Sequence, residues 1–151
     1  MDVEKSMTVD APIDRVWALL LDPVRMAGCV PGTQSVEEIT PDEYLAVVKV
    51  KISFISATFK VRTVITDRRP PEWLRCEGTG EDSRVASSVK HESELHLADL
   101  GDGRTEMTVK AKAQVFGKLG SFGLSVMKTK IDRMWAEFGT ALEAELAKDA
   151  A

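Results

Sequence analysis

A chain of 151 residues that is 44% hydrophobic and 29% charged, with 20 Lys and Arg against 24 Asp and Glu, has the composition of one globular domain. It is long enough to bury a core without metal or disulfide staples. A net charge of −4 and a sequence pI ≈ 5.3 lack the basic footprint of non-specific nucleic-acid binding, so no nucleic acid is expected as a partner. The longest apolar run, Val16 to Leu21, falls far short of the ~20 residues that cross a bilayer, so no transmembrane segment is expected. Met1 to Lys5 lacks the features of a secretory signal, which makes the cytoplasm the expected compartment. Cys29 and Cys76 sit in apolar contexts and read as free thiols.

Residues 3–9 alternate, with Val3, Met7 and Val9 opposite Glu4, Ser6 and Thr8, the period of a half-buried strand. Asp10-Ala11-Pro12 follows, where Asp10 is placed to cap a helix and Pro12 suits a first turn. Ile13, Val16, Trp17, Leu20 and Leu21 then form one helical stripe that stops at Asp22-Pro23. Val24 to Val30 reads as a second helical turn, ended by Pro31-Gly32. From Thr33 to Gln114 the period is two, and turn signals divide the segment into strands near 33–39, 43–54, 56–67, 72–80, 84–98 and 104–115. With the first strand these make a seven-stranded antiparallel meander.

Past the glycines of Gly117 to Gly123, Met127, Ile131, Met134, Phe138, Leu142 and Leu146 recur every three or four residues. That spacing predicts a helix of about six turns. Residues 1–151 therefore read as a single α+β domain. A seven-stranded sheet wraps a long C-terminal helix, two short helices follow the first strand, and Met127, Ile131, Met134 and Phe138 pack onto the inward face.

Little of the sequence carries covalent chemistry. His91 and His96 differ by an odd number in one predicted strand and face opposite sides of the sheet, so they share no metal. No nucleophile elbow, Cys-x-x-Cys or phosphate-binding loop is present, and neither a cofactor nor a catalytic residue is expected. His91 shares parity with Val89 and Ser93 and points to the covered face, either as a hydrogen-bonded core histidine or as a ligand contact. The inward positions mix large residues with small ones, among them Ala46, Ala57, Cys76, Gly78, Ser93 and Ala111. Such a lining fits a pocket for an apolar ligand or, equally, a solid core.

Ala11-Pro12-Ile13-Asp14-Arg15-Val16-Trp17, Gly28-Cys29-Val30-Pro31-Gly32, Val48-Lys49-Val50-Lys51, Ser56-Ala57-Thr58-Phe59 and Gly117-Lys118-Leu119 occur in this order along nearly the whole chain. In them the chain resembles the carbon monoxide dehydrogenase CoxG family of the START-like superfamily. The resemblance implies a helix-grip fold with a ligand cavity between sheet and long helix. It also implies an accessory role beside a carbon monoxide dehydrogenase or related molybdenum hydroxylase, and binding of a quinone or lipid-like molecule. Many relatives carry a membrane-associating tail beyond the long helix, whereas this sequence ends at Lys148-Asp149-Ala150-Ala151, so peripheral membrane contact is the weaker expectation. Ser53-Phe54 and Ser83 to Ser88 stand where relatives often have glycines.

The expected ligand-binding set combines Val50, Phe59, Val61, Cys76, Val89, His91, Met107 and Val109 from the sheet with Phe122, Met127, Ile131 and Met134 from the helix. Val30 and Pro31 join it by resemblance. The primary expectation is a non-enzymatic carrier. A cyclase or aromatase with His91 as acid or base is one alternative, and an interaction module with a filled core is the other.

Overall fold

The computed structural model describes residues 1–82 and 84–149. Ser83, in the segment noted above, and Ala150 and Ala151 lie outside the described residues. The chain runs β1 (Asp2–Val9), α1 (Ile13–Leu20), α2 (Pro23–Cys29), β2 (Thr33–Thr40), β3 (Glu43–Ile52), β4 (Ile55–Arg69), β5 (Trp73–Asp82), β6 (Ser87–Gly101) and β7 (Arg104–Gly117). A 3₁₀ turn (Leu119–Phe122) and α3 (Leu124–Asp149) complete it. The strands form one antiparallel sheet in the order β1-β7-β6-β5-β4-β3-β2. All seven expected strands are present, and several run two or three residues past the expected boundaries because long, curved strands continue pairing into the turns.

The helix starts differ from expectation. Asp10 does not cap α1: Pro12 occupies the cap position with no side-chain bond, and its carbonyl accepts from the Arg15 and Val16 amides at 3.0 and 3.1 Å. The Asp10 amide instead donates to the Glu143 carboxylate of α3 at 3.1 Å. A side-chain cap appears one helix later, where Asp22 Oδ1 accepts from the Arg25 amide at 3.3 Å and Pro23 opens α2.

Two apolar clusters lie on the concave face. One joins Val9, Val16, Leu19, Leu97 and Met107 to Phe138, Leu142 and Leu146 of α3. The other, near the β3–β4 hairpin, joins Ile52, Ile55, Ala57, Phe59 and Leu119, with Phe122 and Met127 packed against it. The long helix therefore meets the core near its two ends. Ile131 and Met134, expected against the sheet, are only half-buried and belong to neither cluster. The reason is geometric: α3 packs chiefly on α2, α1, β1 and the 3₁₀ turn rather than on the middle strands. Its last turns are tied to the short helices by Arg25, which pairs with Glu145 at 2.8 Å and Asp149 at 2.9 Å. Arg15 Nη2 adds a bond to the Leu146 carbonyl at 2.7 Å.

Candidate functional site

A cavity of about 400 Å³ lies between α1–α2 and the concave face. Leu20, Pro23, Met26, Ala27 and Val30 supply its helical wall, and inward positions of β2 to β7 supply the rest. Strand pairing explains the grouping. Ile65 lies opposite Cys76, Cys76 opposite Ser93, and Leu95 opposite Val109, so alternation turns all of them to the same side. Because most of these side chains are aliphatic or small, the lining is nearly all apolar.

His91 and Ser93 provide a polar spot in that wall. Their Nδ1 and Oγ atoms are 2.9 Å apart along β6, and the imidazole lies across Gly78 of the neighbouring strand. A Cβ at Gly78 would stand 2.1 Å from His91 Nε2, so this ring position requires glycine there. Burial holds the imidazole below its ordinary pKa and favours the neutral form. Burial likewise pushes the Cys76 thiol up to about 11, leaving it protonated and a poor nucleophile. The Tyr44 hydroxyl donates to the Pro41 carbonyl at 2.9 Å, and the Glu94 carboxylate accepts from the Trp73 indole at 3.3 Å. Among the described residues, no group of three His, Cys, Asp or Glu side chains is arranged to hold a metal ion. Such a surface can enclose an apolar body and offer one uncharged hydrogen-bonding pair to its polar end.

Of the residues singled out from the sequence, Val30, Val61, Cys76, His91 and Val109 line this cavity. Val50, Val89, Phe122 and Met127 pack on the hairpin-end cluster, and Phe59 is buried inside it. Met107 is fully buried in the other cluster. Pro31 and Met134 border a separate surface groove beside Lys49, and Ile131 is on neither wall. The placement of Phe122, Met127, Ile131 and Met134 corrects the expectation that α3 walls the cavity. The short α2 stands there instead. Leu20, Met26, Val36, Tyr44, Val48 and Leu74 also line the cavity, outside the expected set. Strand parity aligns Val48 with Val50, and the α1 stripe contains Leu20, whereas nothing in the sequence fixes where α2 lies.

Comparison with curated protein sequences returns no match. Solved structures share the fold. A conserved protein from Geobacillus kaustophilus superposes with a TM-score of 0.91 at 24% identity, covering 98% of this chain and 96% of its own. An aromatase/cyclase from a Streptomyces species gives 0.71 at 19% identity, with 100% and 96% covered. A START superfamily protein from Mycobacterium smegmatis gives 0.72 at 15% identity, with 97% of each chain covered. At these identities the likeness is one of fold. Membership is carried by sequence: residues 6–147 match the profile of the carbon monoxide dehydrogenase CoxG family, and the chain belongs to that family.

Proposed function

We propose that this protein is a non-enzymatic carrier or accessory protein that holds an apolar small molecule, a quinone or single-chain lipid, in the cavity beneath α2. The observation that carries the reading is the cavity itself, about 400 Å³ of mostly aliphatic lining. That volume lies in the range of small-molecule sites. Family membership supports an accessory role beside a molybdenum-containing carbon monoxide dehydrogenase or related hydroxylase. The fold shared with an aromatase/cyclase raises the enzymatic alternative. The protonated Cys76 thiol and the single His91–Ser93 pair favour binding over turnover.

Thermal unfolding with added short-chain quinones and single-chain lipids tests the binding reading, because a ligand that prefers the folded state raises the melting temperature by mass action. Val109→Trp should abolish that response while leaving the fold intact, since a side chain entering a void avoids the ~1–3 kcal/mol cost of overpacking. If Val109→Trp unfolds the protein and no apolar compound shifts the parent, the carrier reading fails. Co-purification with molybdenum hydroxylase components tests the accessory role separately.

A further inference from the structure

Charge is distributed unevenly along this acidic chain. Residues 44–66 and 107–131 contain nine of its 20 lysines and arginines and none of its 24 carboxylates. The fold brings parts of both segments to one end of the sheet, where the β3–β4 hairpin, the end of β7, the 3₁₀ turn and the start of α3 meet. Lys51 and Ser53 of the hairpin share a groove with Val126, Lys130 and Arg133 of α3. Two nearby carboxylates are already engaged: Asp82 accepts from the Thr58 and Arg84 amides, and Asp132 pairs with Lys5.

The same end exposes large apolar side chains. A two-residue turn, with Ser53 at φ 56°, connects Ile52 to Ile55 and projects Phe54, which is 83% exposed. Leu124 is 62% exposed at the first position of α3, and Phe116 is 51% exposed near the end of β7. Phe54 is also held in place, its ring edge-on to Phe122 at 6.3 Å between centroids. Water is a costly environment for such side chains. Apolar tips surrounded by lysines fit a surface whose outer layer is anionic and whose interior is apolar.

We propose that this end docks on an anionic lipid bilayer, with Phe54 and Leu124 entering the acyl boundary and Lys51, Lys118 and Lys128 meeting the headgroups. A folded acidic protein would supply the charge but would need a matching pocket for each projecting side chain. A bilayer accommodates them without one. The docking end is opposite the α1–α2 cavity, and the inference does not rest on the carrier reading.

Co-sedimentation of the full chain with phosphatidylcholine vesicles, with and without phosphatidylglycerol, tests it. Binding should require phosphatidylglycerol and fall as salt rises, because screening weakens attraction between exposed charges. Phe54→Ser and Leu124→Ser should each weaken binding by roughly tenfold or more through lost apolar burial. Lys51→Glu with Lys128→Glu should weaken it at least about tenfold through charge. These sites are exposed, and an unchanged melting temperature will show that each variant is folded. Phe54→Trp should be quenched by brominated acyl chains. No retention on phosphatidylglycerol vesicles, or retention indifferent to Phe54 and Leu124, overturns the proposal. Equal retention on immobilised polyglutamate that ignores Phe54 also overturns it and assigns this end to an acidic protein.

Discussion

The two ends of the concave face are built by the same strands with the same alternation, yet one is filled and the other hollow. Near the hairpin, Val50, Phe59, Val89 and Val115 face Leu119, Phe122 and Met127, and large side chains meet from both sides. Near α1–α2, Ala46, Thr63, Cys76 and Ser93 face the seven-residue helix α2, and about 400 Å³ stays open. Parity decides which face is covered. The size of the residues at each depth, and the element placed above them, decide whether the covered space is packed.

The largest expected effect breaks the filled end. Phe59 is 4% exposed, and Phe59→Ala should cost ~3–5 kcal/mol, lowering the melting temperature by about 10 °C in a chain of this size. A loss below ~1 kcal/mol would show that this end is not tightly packed. Next comes Gly78→Ala at the hollow end, where the added Cβ would meet the His91 ring. Displacing the ring into the cavity should cost ~1–3 kcal/mol and reduce the thermal response to quinones. Gly78→Ala combined with His91→Ala should recover much of that stability, because the second change removes the clashing group. If the double variant is no more stable than Gly78→Ala, the contact is not the cause.

These contrasts also mark how much is legible in the sequence. Turn signals such as Thr40-Pro41-Asp42 and Gly101-Asp102-Gly103 divide the meander correctly, and alternation turns Val61, Cys76, His91 and Val109 to one side. Alternation carries no information about depth along a strand, so it groups Phe59 with a cavity that opens further along the same face. Helical periodicity has a similar limit. It identifies the apolar stripe of α3, but the distance from Ile131 and Met134 to the sheet depends on how α1 and α2 hold the helix. Ile131→Asp should consequently be tolerated far better than a charge at the fully buried Leu142. Equal destabilisation by the two substitutions would place Ile131 back in the core. Pro31 enters the expected site by resemblance alone. The adjoining turn is pinned at β3, where the Lys49 amide donates to the Gly32 carbonyl at 2.8 Å, and Pro31 is carried to the outer groove.

The smallest expected effect concerns the charge state of the hollow end. Burial lowers the His91 pKa in the folded chain, whereas the unfolded chain titrates near the ordinary imidazole value of about 6.5. Below that value the unfolded state binds more protons. The stability associated with neutral His91 is thus fully present above about pH 6.5 and is lost as pH falls through the lower folded-state pKa. His91→Gln keeps a hydrogen-bonding side chain beside Ser93 without this titration, so its melting temperature should fall less than the parent's between about pH 7 and pH 5. The parent-minus-variant difference isolates His91 from the surface carboxylates, which both proteins share. A cavity ligand that further shields the imidazole should steepen the parent's decline and leave the variant's slope unchanged. Identical slopes for parent and variant would mean that His91 stays solvated through acidification, and that the cavity is wetter than its lining implies.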